Sequence, residues 1–244
     1  IWRNGRARAR LIQRERVDLV HARSRAPAWA ASRACQSRQV PFVTTWHGLH
    51  DATWPGKRRY NGILASGDRV IATSTFIAER LTRDYHVPPE RLRLIPRGAN
   101  VQHFDPARVT GQRIQALVDA WAIPDGARVI MLPGRLTRWK GHSVMIEALA
   151  LMQSATARMS EVPHWVCVFV GPADPQDHYV RALCARASSL GVSANLRFAG
   201  FCDDMPAAYA LADVVVAPSL RPEPFGRIAV EAQAMGRPVI ATAL

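Results

Sequence analysis

Short apolar runs alternate with stretches of helical periodicity along the whole chain. This alternation predicts a parallel α/β architecture in which helices connect successive strands. The apolar runs are continuous rather than alternating, as expected when helices cover both faces of a sheet. The predicted strands are Val17–Ala22, Val40–Thr45, Arg69–Thr73, Arg91–Ile95, Arg128–Leu132, Trp165–Val170, Leu196–Ala199, Val214–Ala217 and Pro238–Thr242.

Helical periodicity fills the intervals between these runs. Ser74 is a predicted N-cap, because its hydroxyl can satisfy an amide of the following first turn. The predicted helices are Ala26–Ser37, Ser74–Tyr85, Gln112–Trp121, Gly141–Met152, Gln176–Leu190, Met205–Leu211 and Arg227–Met235.

A segment rich in proline and glycine between Pro96 and Gly126 separates the two halves of the pattern. We therefore predict two Rossmann-like domains, residues 1–105 and 128–244, joined by a linker at residues 106–127. Ligands of such sheets bind outside the carboxyl ends of the strands. Few strands precede the linker, Ile1 is not a start methionine, and the chain stops at Leu244 directly after a strand. We expect the chain to be the larger part of two domains, cut at both ends.

Composition excludes several classes of protein. The 244 residues are 48% hydrophobic, too apolar for a disordered tail. There is no apolar run of transmembrane length and no signal-peptide pattern. The four cysteines lack the spacing of a zinc site or a disulfide framework, which favours a reducing cytoplasm.

The net charge of +13 is unevenly distributed. Residues 1–100 hold 19 Lys+Arg against 7 Asp+Glu, whereas residues 101–244 hold 13 against 12. This excess predicts that the first domain faces an anionic partner, which could be nucleic acid, a phospholipid surface or a phosphorylated substrate.

The segment Pro133–Gly141 follows a predicted strand and opens a helix. Gly134 allows the backbone to approach a ligand, and the helix N-terminus favours an anion. Arg135 and Lys140 add two cations, which together could hold a diphosphate without a metal. The alternative is an ordinary βα turn with surface cations. Neither a GxGxxG nor a Walker A pattern is present in the sequence.

A second segment, Arg221–Glu231, also follows a predicted strand. Glu223 lies in the loop and Glu231 about two turns into the next helix, where carboxylates could accept hydrogen bonds from sugar or ribose hydroxyls. Gly226 would leave backbone amides free to donate to the same ligand. The alternative is a surface helix whose acidic residues suit the macrodipole.

Together these segments make the chain resemble the family 4 (group 1) retaining glycosyltransferases, which have the GT-B fold. The markers are Gly134-Arg135-Leu136 with Lys140-Gly141, the strand ending at Gly171, and Glu223-x7-Glu231. Ile95–Asn100 is similar to the family's Ile-Pro-Asn-Gly-Val-Asp, but departs from it by having Arg97 in the Asn position and Asn100 in the Asp position.

The resemblance implies roles for individual residues. Gly134, Arg135 and Lys140 would bind the donor diphosphate, and Glu231 the ribose of the nucleotide. His47 and Glu223 would be the catalytic residues. Glu223 would also contact the transferred sugar, together with Pro224, Phe225 and Gly226.

The resemblance also implies an activity. The family moves a hexosyl group from a nucleotide diphosphate sugar to an acceptor with retention, without an obligatory metal or other cofactor. We expect a lipid-linked or cell-envelope acceptor such as a lipopolysaccharide glycan, and a cytoplasmic protein that could associate with the inner face of the membrane.

Six arginines between residues 3 and 16 are spaced as on one side of a helix, and Arg23 and Arg25 follow a strand at its ligand-binding end. They suit an anionic leaflet or a phosphorylated acceptor. The alternative is a solvated arginine-rich face. A nucleic-acid-binding α/β protein and an inactive glycosyltransferase fragment are further alternatives, although no nucleic-acid-binding motif is present.

Overall fold

A computed structural model describes residues 2–156 and 164–244, without the side chains of residues 2 and 3. The side chain of Arg3, counted above in the basic run, therefore lies outside the described residues. The chain divides into two compact units. The first comprises Ile1–Arg97 with Glu223–Phe225, and the second Gly98–Pro222 with Gly226–Leu244.

The first unit is a parallel four-stranded sheet in the order β1-β2-β3-β4, with strands connected by helices. Its first helix, α1, packs against α2. The elements in chain order are α1 (Trp2–Arg14), β1 (Val20–Ala22), α2 (Arg25–Arg38), β2 (Phe42–Trp46), α3 (Pro55–Gly62), β3 (Arg69–Ala72), α4 (Thr75–Tyr85) and β4 (Leu92–Leu94).

The core of the first unit lies between the sheet and its helices. Trp46, Leu64, Ile77 and Leu81 are among its largest side chains and are almost fully buried. Ser74 caps α4, because its hydroxyl accepts a hydrogen bond from the amide of Ile77 at 3.2 Å. The predicted N-cap is confirmed.

The second unit is a parallel five-stranded sheet in the order β7-β6-β5-β8-β9. Central strand β6 is buried along its whole length, which explains its uninterrupted apolar sequence. The elements are α5 (Gly111–Ala120), β5 (Arg128–Pro133), α6 (His142–Thr156), β6 (Trp165–Val170), α7 (His178–Ser189), β7 (Leu196–Gly200), α8 (Met205–Leu211), β8 (Val214–Ala217), α9 (Arg227–Ala234) and β9 (Val239–Ala241).

Every predicted strand and helix has a counterpart within a few residues, so the predicted parallel α/β class is confirmed. Helix α3 had no prediction, because Lys57, Arg58 and Arg59 give its sequence no apolar stripe. Pro55 starts it at the first helical position, where a missing N–H costs nothing. Within the described residues, no helix is both long and apolar enough to cross a membrane.

Candidate functional site

The strand order of the second unit creates a crevice beside β5. From β5 the chain first extends the sheet to one side through β6 and β7, then returns to add β8 and β9 on the other side. Loops at the carboxyl ends of two strands that flank such a reversal leave opposite faces of the sheet and open a ligand crevice. The loop after β5 carries Gly134–Gly141, and the loop after β8 carries Pro218–Gly226. Both predicted ligand segments therefore meet at one place in the fold.

The two loops are in direct backbone contact. The amide of Leu220 donates to the carbonyl of Trp139 at 2.8 Å. Gly141 has a φ of +77°, and a Cβ at this position would overlap the carbonyl oxygen of Pro218. Only glycine satisfies both the left-handed backbone and the absence of space.

The end of β6 packs equally closely on the same loop. A Cβ at Gly171 would overlap the carbonyl oxygen of Gly134, whose own amide donates to Val170 at 2.8 Å. Gly134 in turn lies beside the aliphatic stem of Lys140 and the side chain of Ile228 in α9. The glycines thus fix the backbone around which the predicted cations are placed.

Lys140 and Arg135 are both at this crevice. Lys140 ends a short 3-10 helix, Arg138–Lys140, and its Nζ lies 4.4 Å from the centre of the Trp139 ring. This distance is that of a cation–π contact, which holds the ammonium group in place. Arg135 is exposed in the preceding turn.

Glu231 is a buried carboxylate with three hydrogen bonds to its two oxygens. Tyr209 donates its hydroxyl to Oε2 at 3.0 Å, while Arg227 donates Nε at 3.0 Å and a second nitrogen at 2.5 Å to Oε1. Only 10% of the Glu231 side chain is exposed, against 60% of that of Arg227. Burial and the adjacent Glu231 raise the pKa of Tyr209, which keeps its phenol protonated as the donor. Tyr209 is the fixed partner of Glu231 and Arg227 the displaceable one.

Glu223, Pro224 and Phe225 occupy the loop between β8 and α9, as predicted. Gly226 is the residue before α9 and has a φ of +79°, a left-handed conformation that favours glycine. The first amides of α9 therefore follow directly on the segment that carries the predicted sugar-binding residues.

In the first unit, His47 follows β2 and lies between two arginines. Arg23, which follows β1, donates Nε to His47 Nε2 at 3.1 Å. Nη2 of Arg97, which follows β4, lies 2.8 Å from His47 Nδ1. Burial, then the charges of Arg97 and Arg23, lower the pKa of His47 to about 4. The imidazole is therefore neutral at physiological pH.

Two further histidines stand at the same end of this sheet. His21 lies 2.6 Å from the hydroxyl of Thr45, and burial lowers its pKa. Burial and Arg25 lower the pKa of His50 to about 4. Arg25 donates to the buried amide oxygen of Asn61 at 2.8 Å and covers the Tyr60 ring. These contacts stabilise the unit. The predicted role of Arg25 in binding a ligand remains a prediction.

The structure adds residues that the sequence did not suggest. Tyr209 lies in a helix without any motif, and no local signal linked it to Glu231. The ion pair between Arg227 and Glu231 could have been found from their i,i+4 spacing. The contact of Arg97 with His47 spans fifty positions and needed the fold. Among the described residues, no group of three or more His, Cys, Asp or Glu could hold a metal ion.

Two family models match the chain. Residues 114–244 match the model described as "Glycosyl transferases group 1", and residues 1–103 the model described as "Glycosyltransferase Family 4". A relative from Catenulispora acidiphila, named D-inositol 3-phosphate glycosyltransferase 1, is 31% identical over 93% of this chain and 56% of its own length.

Solved structures give the same result. A glycosyltransferase from Rickettsia africae ESF-5 is 30% identical with a TM-score of 0.87, over 99% of this chain and 62% of its own. Anabaena Alr3699/HepE, solved in complex with UDP and glucose, is 27% identical with a TM-score of 0.78, over 96% of this chain and 61% of its own. The chain thus spans less than two thirds of each of these proteins.

Proposed function

Because the chain belongs to the glycosyl transferases group 1 and has their GT-B fold, we propose that the protein transfers a hexosyl group from a nucleotide diphosphate sugar to an acceptor. The observation that carries this proposal is the meeting of the Lys140 loop and the Glu231 helix at the crevice beside β5. The loop after β5 offers cations for a diphosphate, and helix α9 offers the buried carboxylate of Glu231 for ribose hydroxyls.

The chemistry needs positive charge where the leaving diphosphate gains negative charge. Lys140 and Arg135 would supply it from a backbone that the glycine contacts already hold in place, so little reorganisation accompanies the reaction. The amides at the start of α9 would add oriented donors to the same region. We propose that no obligatory metal takes part, since these cations would neutralise the leaving group.

Glu231 is arranged to accept hydrogen bonds from a vicinal diol. Oε2 is held by Tyr209 within the core, whereas Oε1 is bonded to the exposed Arg227. A ribose would displace Arg227 from Oε1 and leave the Tyr209 contact in place. Donor binding would then replace the ion pair with charge-assisted hydrogen bonds from the ribose hydroxyls to the carboxylate, and would free Arg227 to move.

The remaining roles concern the transferred sugar. We propose that Glu223, Pro224, Phe225 and Gly226 contact it and that it is transferred with retention at the anomeric carbon. His47 is the proposed catalytic residue of the first unit. Its lowered pKa makes it a neutral hydrogen-bonding group, so that it would donate a hydrogen bond to a substrate oxygen rather than supply charge.

For the acceptor we propose a lipid-linked or cell-envelope glycan, reached from an anionic membrane surface. The exposed arginines of α1 support this location, because a helix without acidic residues is attracted to anionic headgroups. The relative named D-inositol 3-phosphate glycosyltransferase 1 favours a second class of acceptor, a small phosphorylated polyol.

Calorimetric titration of UDP and other nucleoside diphosphates tests the donor site. Replacing Lys140 or Glu231 by alanine should weaken binding about 10- to 100-fold, since a hydrogen bond to a charged group contributes about 1.5–3 kcal/mol. Arg186→Ala is the matched control, because Arg186 of α7 forms its ion pair with Glu147 of α6 and not with a residue of the proposed donor site. Nucleotide binding that is equal in all three variants would refute the donor site.

A competition experiment tests the partner of the basic half. Anionic vesicles and RNA are offered together, and the proposal requires the protein to sediment with the vesicles. Retention on RNA in their presence would instead support a nucleic-acid-binding protein.

A further inference from the structure

The imidazole of His47 has a hydrogen-bond donor facing each of its two ring nitrogens. Arg23 Nε lies 3.1 Å from Nε2, and Arg97 Nη2 lies 2.8 Å from Nδ1. A guanidinium group has donors only and cannot accept. A neutral imidazole has one N–H and one lone pair, so it can accept from only one of these arginines.

At the other ring nitrogen, an imidazole N–H therefore faces an arginine N–H, and no hydrogen bond can form between them. This holds for either tautomer, because whichever ring nitrogen carries the proton points it at an arginine. Protonating the ring would make both contacts repulsive. An acceptor placed between the ring N–H and the facing guanidinium would turn the repulsive contact into two hydrogen bonds.

We infer that Arg23, His47 and Arg97 bind the phosphate group of a phosphorylated acceptor. This inference rests on the proposed glycosyl transfer and specifies the acceptor it uses. The three residues follow the ends of β1, β2 and β4, at the edge of the sheet where ligands of parallel sheets bind. All three belong to the first unit.

The number and type of donors favour a phosphate over a carboxylate. Two guanidinium forks and an imidazole N–H exceed what the two oxygens of a carboxylate accommodate in good geometry, whereas a phosphate monoester offers three terminal oxygens. Arg23 is exposed and Arg97 half-buried, so both can turn towards a ligand.

The acceptor is the source of this phosphate rather than the donor. Donor phosphates already have cations in the second unit, at Arg135 and Lys140. Arg97 stands in the position of the asparagine of the motif Ile-Pro-Asn-Gly-Val-Asp, and its guanidinium adds a second cation beside His47 in the first unit.

Titration with glycerol 1-phosphate, in the presence and absence of saturating UDP, tests the inference on the full chain. Arg97→Asn and Arg23→Gln should each weaken glycerol 1-phosphate at least about tenfold, and glycerol should not bind. Arg93→Asn is the matched control, since Arg93 lies on β4 and donates to the carbonyls of Glu90 and Leu92. Its affinity should equal that of the wild type.

The outcomes separate this inference from the donor site. Undiminished glycerol 1-phosphate binding by Arg97→Asn, or its displacement by UDP, would overturn the inference and leave the donor site intact. Each variant must also retain the wild-type UDP affinity and thermal transition, which shows that it has folded. At a glycerol 1-phosphate concentration close to the wild-type Kd, the ring nitrogen resonances of His47 should shift in the wild type and much less in Arg97→Asn.

Discussion

Two regions of this molecule offer positive charge at the carboxyl ends of parallel strands, but they are built differently. In the second unit, backbone contacts at Gly141 and Gly171 hold three loops together, and the stem of Lys140 lies beside Gly134 in this framework. In the first unit, Arg23, His47 and Arg97 meet only through their side chains.

Because of this difference, the two sites should tolerate different amino-acid substitutions. Where the backbone leaves no room for a Cβ, any substitution of glycine must push the loops apart. Such a substitution should lower both the free energy of unfolding and the affinity for the ligand. A side-chain cluster can change its charge while its strands stay in register. We expect donor binding to depend on the fold of its unit, and the specificity of the first unit to vary with single residues.

The largest effect is expected for Gly141→Ala. Its Cβ would overlap the carbonyl of Pro218, and its φ of +77° adds strain for any residue with a side chain. The loops after β5 and β8 must then separate, at a cost of about 3 kcal/mol in the free energy of unfolding. Urea unfolding and UDP titration should both report the loss.

Gly126→Ala measures the backbone-strain part of that effect alone, so the difference between the two variants gives the steric part. Gly126 has a similar φ of +71°, but no atom lies within 4 Å of the position of its Cβ. This variant should cost only the backbone strain, about 1 kcal/mol, and leave UDP affinity unchanged. Equal losses in the two glycine variants would contradict the role of the Pro218 contact.

A smaller effect is expected for Tyr209→Phe. The change removes the donor to Glu231 Oε2 and leaves a buried carboxylate with Arg227 as its remaining partner. The free energy of unfolding should fall by about 1.5–3 kcal/mol, and UDP should bind more weakly because Glu231 is less well fixed. Differential scanning calorimetry and titration measure the two quantities.

Tyr60→Phe serves as the matched control. Tyr60 is 37% exposed, and its ring contact with Arg25 survives the change. Stability should change by less than about 0.5 kcal/mol. If Tyr209→Phe behaved in the same way, Glu231 would not depend on the phenol for its position.

Much of the fold could be read from the sequence, because parallel strands covered by helices leave continuous apolar runs such as Trp165–Val170. Helix α3 could not, since its residues are polar and its position depends on tertiary contacts such as that of Asn61 with the carbonyl of His50. The strand orders also needed the structure, because periodicity says nothing about which strands pair.

The candidate site divides in the same way. Gly134, Lys140 and Glu231 are in local patterns whose spacing reflects a loop and the start of a helix, so the sequence could single them out. Tyr209 and the contact between Arg97 and His47 depend on residues far apart in the chain. No window of sequence contains both partners, and the predicted roles of the individual residues remain predictions.

The smallest predicted effect is the salt dependence of two pKa values, that of His47 in the first unit and that of His142 in the second. Burial is the largest cause that lowers the pKa of each to about 4; the charge of Lys140 adds to it at His142, and the charges of Arg97 and Arg23 add to it at His47. Both folded values lie below the unfolded value of about 6.5. The unfolded chain therefore takes up protons as the pH falls from 6.5 towards 4, and stability is lost over that range by at most about 1.4 kcal/mol per pH unit for each histidine.

Salt should distinguish the two histidines. Raising the ionic strength from about 0.05 M to about 0.5 M screens the arginines beside His47 and should raise its pKa by a few tenths. The pKa of His142, whose side chain is fully buried against Phe169, should change less. Histidine ring resonances followed by NMR give both values, with chloride as the only added anion so that phosphate binding does not contribute. An equal response of the two rings would mean that burial alone sets the pKa of His47, and that its arginines act on a bound anion rather than on the ring.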